Sequence, residues 1–126
     1  VWHVDYFAGN FCSQPEMVST SGGYGFERIG DAYKDFSPLH NIQEGAPPTI
    51  IFLGTNDNLI PVETMKYYQT VMEKVGSQCE LHLYEGQPHG FFNYRNFEFY
   101  ESTVRKSDEF LQSLGYLEKR STLLIK

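Results

Sequence analysis

The chain has 126 residues, of which 40% are hydrophobic and 16% aromatic, and a formal net charge of −6 at pH 7. This composition is typical of a globular protein of about one domain and not of a disordered protein. The basic residues are scattered and form no patch that could follow a phosphate backbone, so we expect no nucleic-acid partner. No apolar stretch approaches the roughly 18 residues that a membrane span requires, and we therefore expect no membrane span.

The two cysteines and the first residue bear on where the protein is found. Cys12 and Cys79 provide neither a disulfide framework nor metal-ligand spacing. Cys79 is in strand phase with Leu81 and Leu83, which predicts a buried thiol. The chain begins at Val1 rather than at a methionine, so we expect that an N-terminal part is missing. Localisation stays open between a secreted, a periplasmic and a cytoplasmic protein.

The first third of the chain contains few clear elements. Residues 1–7 alternate loosely and predict a strand, whereas residues 8–25 are rich in Gly, Ser, Asn and Pro and predict an exposed loop. This loop lacks the spacing of a phosphate-binding loop. A helix is predicted next, and Pro38 ends it because the residue before a proline avoids the helical region. Its apolar face consists of Phe26, Ile29, Tyr33 and Phe36.

Four stronger elements follow. The unbroken apolar run of Thr49–Gly54 predicts a strand that is buried on both faces of a parallel sheet. A helix is predicted from Pro61, which suits a first helical turn, to a stop at Gly76. Residues 80–85 alternate, with their two leucines on one side, and predict a strand nearer the edge of the sheet. Residues 96–114 predict a long helix. The apolar faces of the two helices are formed by Met65, Tyr68, Met72 and Val75, and by Phe97, Tyr100, Val104, Leu111 and Leu114.

The order of these elements decides the fold class. Strands that alternate with helices of crossover length predict an α/β fold with parallel strands and right-handed crossovers. The ligand site of such a sheet lies beyond the carboxyl ends of its strands. Asp57 follows the first strong strand and His89 follows the second. We therefore expect these two side chains to face each other although 32 residues separate them.

An acid and a histidine in this arrangement are the groups that activate a serine. A serine hydroxyl is a poor nucleophile until an imidazole accepts its proton, and a carboxylate on the other ring nitrogen fixes the tautomer. His89 suits the first role and Asp57 the second. Each residue also has a non-catalytic interpretation. Asp57 could do no more than cap the following helix, and His89 could be a surface turn residue. Two independent loops in the right order favour the catalytic interpretation.

The other histidines are weaker candidates. His82 lies in the middle of a strand, His40 in a turn and His3 in a weak strand. No pair among them has the spacing of zinc ligands. We therefore expect neither a metal nor a cofactor.

Three stretches of the sequence resemble the esterase/lipase branch of the α/β-hydrolase superfamily, and in particular carboxylesterases grouped with acetyl-xylan and feruloyl esterases. They lie at residues 36–42, 46–62 and 83–93 and include the signatures Gly-Thr-x-Asp-x-x-x-Pro-Val and Gly-x-x-His-Gly-Phe. The resemblance implies that Asp57 and His89 are the acid and the base of a Ser-Asp-His triad. It also implies a serine in a Gly-x-Ser-x-Gly turn, with glycines two residues before and after it. None of the serines here has that surrounding, and Ser21 has only the glycine that follows.

The simplest interpretation is that residues 1–126 form a single partial domain, the C-terminal portion of an α/β-hydrolase fold without its nucleophile-bearing half. The function that we expect is that of a serine carboxylesterase acting on a small-molecule or carbohydrate ester, with the isolated chain inactive. The alternatives are a prolyl-oligopeptidase-type peptidase fragment and a hydrolase-like interaction module without activity. As partners we expect the missing N-terminal half, or self-association through an exposed sheet edge.

Overall fold

The computed structural model of the chain describes residues 32–119 and 123–126. The strand predicted at residues 1–7, the loop predicted at residues 8–25 and most of the first predicted helix lie outside the described residues, as do His3 and Cys12. The chain divides into two compact units, with the boundary in the sequence between His89 and Gly90.

Residues 32–89 of the first unit contain two short helical segments followed by a strand, a helix and a second strand. The segments are α1 (Tyr33–Phe36) and a 3-10 helix (Pro38–Asn41). They are followed by β1 (Thr49–Gly54), α2 (Val62–Lys74) and β2 (Cys79–Tyr84). The strands and the helix lie within one or two residues of the predicted ranges.

The two strands are parallel neighbours, as the sequence predicts. Their register pairs Thr49 with Cys79 and Gly54 with Tyr84, so both strands end at the same edge of the sheet. Helix α2 makes the crossover between them and packs on one face. The carboxyl ends of β1 and β2 therefore lie side by side, and the loops that follow them start from adjacent points.

The core of this unit lies between the sheet and α2. Its buried members are Leu39, Ile51, Leu53, Ile60, Met65, Tyr68, Met72 and Cys79, with Leu81 packed against them. The residues of α2 recur every three or four positions, so they share one face, and those of β1 alternate. Met65 and Met72 are each only 1% exposed. Removing a side chain of this size from water contributes about 1.5–3 kcal/mol.

The other face of the sheet is less covered than the apolar run of β1 predicts. Ile50 and Phe52 are only half-buried, and Phe52 stacks on His82 of the neighbouring strand. On β2, Leu83 is 41% exposed although it lies on the same side of the strand as Leu81. Alternation defines which residues share a face, but it does not state how far α2 extends over that face. Leu81 packs against the core cluster of the first unit, whereas Leu83 is not among the residues packed against it.

Helix α2 ends where Gly76 predicts. Gly76 has φ +78°, a left-handed conformation that glycine adopts without steric cost. Its N–H donates to the carbonyl of Glu73, and the N–H of Ser77 donates to that of Met72. This pair of hydrogen bonds is a Schellman motif and satisfies two carbonyls at the end of the helix. The chain then turns directly into β2.

The second unit is built on α3 (Phe97–Ser113), which confirms the long helix predicted at residues 96–114. Its buried side chains are Thr103, Asp108 and Phe110, whereas Phe97 and Leu111 of the predicted apolar face are 39% and 38% exposed. The predicted face is therefore wrong in part. Aromatic residues lie on two sides of this helix, so helical periodicity alone fits both sides.

The helices of residues 32–119 include none with the length and apolar character needed to cross a membrane.

Candidate active site

Asp57 lies in the loop that follows β1, and its side chain is 4% exposed. The loop turns sharply, because the N–H of Asp57 donates to the carbonyl of Gly54. One carboxylate oxygen, Oδ1, accepts hydrogen bonds from the backbone N–H groups of Leu59 and Ile60, at 2.8 and 2.9 Å. A buried carboxylate needs such donors to compensate for lost hydration. The other oxygen, Oδ2, is left for a different partner.

That partner is His89, in the loop that follows β2. Nδ1 of His89 lies 2.8 Å from Oδ2 of Asp57, a hydrogen-bond distance. The His89 side chain is 44% exposed, whereas the Asp57 carboxylate that it contacts is buried. The expectation that the two residues lie within hydrogen-bond reach is confirmed, and the two side chains occupy adjacent strand ends as expected.

The helix-capping alternative for Asp57 is not what the structure has. The N-cap residue of α2 is Pro61, which makes no side-chain capping hydrogen bond. Asp57 instead holds the turn at residues 57–60 through its Oδ1 bonds. The aspartate therefore has a structural contact and a histidine contact at once, one for each oxygen.

The two loops are joined by backbone contacts that the sequence does not reveal. The N–H of Thr55 donates to the carbonyl of Tyr84 at 2.9 Å, and the N–H of Asn56 donates to that of Gln87 at 3.0 Å. Gly54 lies so close to the second loop that a Cβ there would overlap the carbonyl oxygen of Gln87. A glycine that ends a buried strand suggests such a close approach, but its partner is more than thirty residues away.

A second acid–histidine pair lies on β2 itself. Nε2 of His82 is 3.2 Å from Oε2 of Glu80, and the His82 side chain is 30% exposed. The pair sits on the strand and not at its carboxyl end, with the ring of His82 stacked on Phe52 at 5.6 Å. The pair is therefore not at the edge of the sheet where Asp57 and His89 meet.

The remaining candidates do not join the site. His40 lies in the 3-10 helix, where burial, followed by the charge of Lys34, lowers its pKa. Ser77 precedes β2 and donates its hydroxyl to the carbonyl of Ala46, at the end of the sheet opposite to His89. Among residues 32–119 and 123–126, no three His, Cys, Asp or Glu side chains are grouped so as to hold a metal ion.

The parallel strands and their crossover helix agree with a family to which the chain can be compared. Residues 11–119 match the model of a protein family described as the dienelactone hydrolase family. The chain belongs to the dienelactone hydrolase family. This family is part of the α/β-hydrolase superfamily, so the resemblance found in the sequence is confirmed.

Solved structures confirm the fold class of this family member. It is similar to an esterase of Thermogutta terrifontis with propionate bound, at 43% identity and a TM-score of 0.69, over 76% of this chain and 36% of that one. It is also similar to esterase 2 of the same organism phosphonylated by sarin, at 44% identity and a TM-score of 0.69, over 75% and 35%. The chain thus has part of an α/β-hydrolase fold.

The chain is also similar to curated proteins that are named as esterases. A probable isoprenylcysteine alpha-carbonyl methylesterase of Arabidopsis thaliana is 31% identical over a 67-residue alignment, which covers 47% of this chain and 14% of the relative. A second methylesterase of this name from the same plant is 30% identical and is covered to 16%. The chain therefore spans about one seventh of the length of these relatives, and about a third of the structures that it matches.

Proposed function

We propose that the chain is the acid- and histidine-bearing part of a serine carboxylic-ester hydrolase. Asp57 and His89 act in it with a serine that lies outside the 126 residues. The proposal is carried by the 2.8 Å contact between Oδ2 of Asp57 and Nδ1 of His89, between a buried carboxylate and an exposed imidazole. Membership of the dienelactone hydrolase family supports it, as do the esterases among the structural neighbours.

Each group has a distinct role in the proposed reaction. Asp57 accepts a hydrogen bond from Nδ1–H of His89, which leaves Nε2 without a proton. Nε2 takes the proton of the serine hydroxyl as its oxygen attacks the ester carbonyl carbon, and it then passes this proton to the departing alcohol. Water repeats the sequence on the acyl-enzyme and releases the carboxylic acid. Asp57 stays ionised throughout and stabilises the imidazolium.

The nucleophile and the oxyanion hole are proposed to come from a segment that precedes this chain. No serine of the sequence lies in a Gly-x-Ser-x-Gly turn. In α/β-hydrolases the backbone N–H groups of that turn, and of a loop before it, hold the oxyanion. In this proposal residues 1–126 form one partial domain, which reaches full activity only with the nucleophile-bearing half.

The substrates that we propose are esters of short carboxylic acids. The structural neighbours include an esterase with propionate bound and the same esterase with butyrate bound. The family name denotes a lactone, which is a cyclic ester, and the curated relatives are methylesterases. Acetyl or feruloyl esters of plant polysaccharides are a narrower form of the proposal, which rests on the sequence resemblance alone.

The decisive experiment is an esterase assay of the longer protein that contains this chain, with p-nitrophenyl acetate, propionate and butyrate as substrates. We expect His89→Ala and Asp57→Asn each to lower kcat by at least about a thousandfold, with KM little changed. Asparagine at position 57 keeps an oxygen for the N–H groups of Leu59 and Ile60, but its amide donates to His89 and favours the wrong tautomer. The loss in this variant therefore reports on catalysis and not on the loop.

His82→Gln is the matched control, because it removes an imidazole of the same strand-and-loop segment that lies away from Asp57. This variant should retain the activity of the unmodified protein. Near-normal turnover of His89→Ala would refute the proposal. Activity on a prolyl peptide alone would favour the peptidase, and an intact but inactive protein would favour the interaction module.

A further inference from the structure

Thr55 connects the loop of Asp57 to the loop of His89 through its side chain. Its hydroxyl oxygen accepts a hydrogen bond from the backbone N–H of Gly86, at 2.7 Å. Its own N–H donates to the carbonyl of Tyr84 at 2.9 Å. Thr55 thus lies two residues before the acid and contacts the first and third residues, Tyr84 and Gly86, of a turn that begins five residues before the histidine.

This turn sets the direction in which the chain enters the His89 loop. The N–H of Gln87 donates to the carbonyl of Tyr84 at 3.2 Å, and Gly86 takes the left-handed conformation with φ +71°. The N–H of Asn56 then donates to the carbonyl of Gln87, which fixes the next residue as well. Of the hydrogen bonds that Thr55 and Asn56 make to residues 84–87, the one to Gly86 is made by a side chain.

We propose that Thr55 is a positioning residue for His89. Its hydroxyl holds the Gly86 amide, and through the turn at residues 84–87 it keeps Nδ1 of His89 at hydrogen-bond distance from Oδ2 of Asp57. The expected effect on catalysis rests on the function proposed above, whereas the expected effect on the position and tautomer of the His89 ring does not.

Because the hydrogen bond of Thr55 is exposed, its loss should affect the position of His89 more than the stability of the fold. The hydrogen bond to Gly86 is exposed, so water can replace the hydroxyl when it is lost, and the fold loses little. The contact of Nδ1 with Asp57 depends on the position of the His89 ring, and a water molecule bound to the Gly86 amide does not fix that position. Catalytic groups must be held within about 0.5 Å of their working geometry. Valine at position 55 has nearly the shape of threonine but cannot accept the bond, and serine can.

The first test measures the tautomer of His89 by long-range ¹H–¹⁵N correlation NMR of the ring, in the same polypeptide that is used for the esterase assay. A His89→Gln spectrum assigns the signals. In the unmodified protein at a pH where the ring is neutral, we expect the Nδ1–H form to dominate. Thr55→Val should lower the ratio of Nδ1–H to Nε2–H by about two- to tenfold, the equivalent of one hydrogen bond. Thr55→Ser should restore it.

The matched control is Thr49→Val, at the opposite end of the same strand. The hydroxyl of Thr49 donates to the carbonyl of Pro47 at 3.0 Å, an exposed and local contact that joins no loops. This variant loses one exposed threonine hydrogen bond, as Thr55→Val does, and should leave the His89 tautomer ratio unchanged. An unchanged ratio in Thr55→Val, or a dominant Nε2–H form in the unmodified protein, would overturn the proposal.

The second test separates kcat from KM with p-nitrophenyl acetate. A displaced imidazole lowers the rate of the chemical step, so Thr55→Val should lower kcat by about two- to tenfold with KM unchanged, and Thr55→Ser should recover it. A normal kcat together with a shifted tautomer would remove the catalytic part of the proposal. If the unmodified protein shows no esterase activity, the function proposed above fails, and the tautomer ratios still decide whether Thr55 positions His89.

Discussion

Gly54 has the backbone of the His89 loop directly against its Cα. A Cβ at this position would overlap the carbonyl oxygen of Gln87 and lie 2.6 Å from its carbonyl carbon and 3.0 Å from the oxygen of Pro88. These are backbone atoms, so no side chain can rotate away. The requirement for glycine here comes from space, since no left-handed backbone is involved.

We therefore expect Gly54→Ala to displace the His89 loop and to lower the free energy of unfolding by about 1–3 kcal/mol, as overpacking does. Hydrogen–deuterium exchange should show faster exchange of the Asn56 amide, which donates to Gln87. Gly45→Ala is the control, because Gly45 has φ +85° and open space around it. That variant carries backbone strain of about 1–2 kcal/mol without a clash, and the Asn56 amide should keep its protection. Equal protection in both variants would contradict the clash.

Cys79 allows a prediction about thiol chemistry. Burial raises its pKa to about 11, with the charges of Glu73 and Glu80 adding to the effect. At pH 8 the thiolate should be scarce, and we expect iodoacetamide to react about a hundredfold more slowly than with an ordinary thiol. The measurement is mass spectrometry on a Cys12→Ser variant, with the same sample in urea as the control. Equal rates in buffer and in urea would contradict a buried thiol.

The same pKa gives the sign of a stability effect at alkaline pH. The native pKa of Cys79 lies above that of the unfolded chain, so the native state holds the thiol proton more tightly. Its contribution to stability is complete below the unfolded pKa and is lost as pH rises toward about 11.

At the scale of elements, α2 stabilises the sheet through the side chains that it buries. Met72 is 1% exposed within the core of the first unit. We expect Met72→Ala to lower the free energy of unfolding by about 2–5 kcal/mol, because the lost contacts leave a cavity. Lys66→Ala on the exposed side of α2 should change it by less than about 0.5 kcal/mol. Urea denaturation of both variants tests this, and similar midpoints would mean that α2 does not pack as described.

The sequence predicts β1 from its unbroken apolar run, and α2, β2 and α3 from their periodic apolar residues. The parallel pairing and the meeting of Asp57 with His89 follow from that order. The exposure of Leu83 and the buried face of α3 do not, because periodicity states which residues share a face and not what covers it.

The contacts of Thr55 and Gly54 with the His89 loop cannot be predicted from the sequence, for another reason. Thr55 and Gly86 are 31 residues apart, and their hydrogen bond joins a hydroxyl to an amide that every residue but proline carries. The sequence therefore cannot predict which amide donates to the Thr55 hydroxyl. The clash at Gly54 is equally invisible, because its partner is backbone.

At the scale of the whole molecule, the edges of the sheet are the feature that bears on association. Within residues 32–119, β1 and β2 pair only with each other, so each has an edge without a strand. Such edges tend to pair with another chain. We propose that the segment carrying the nucleophile covers one of them in the longer protein.

The 126-residue chain alone should therefore self-associate with increasing concentration. Its net charge of −6 opposes this association, so added salt should promote it by screening the repulsion. Sedimentation velocity over a concentration series at two salt concentrations provides the measurement. Co-expression with the upstream half should give a species that no longer changes with concentration. A chain that stays monomeric throughout would contradict the proposed role of the edges.

The divided use of the Asp57 carboxylate has a consequence for how the sequence would change if the proposed function were lost. Oδ1 serves the turn at residues 57–60 whether or not a reaction takes place, whereas the exposed ring of His89 serves the fold much less. Without selection for the proposed reaction, we expect substitutions of the histidine before substitutions of the aspartate, because the aspartate also stabilises the turn. In descendants of this chain, an intact aspartate would therefore say little about activity, and the histidine would be the residue that records whether selection for the reaction continued.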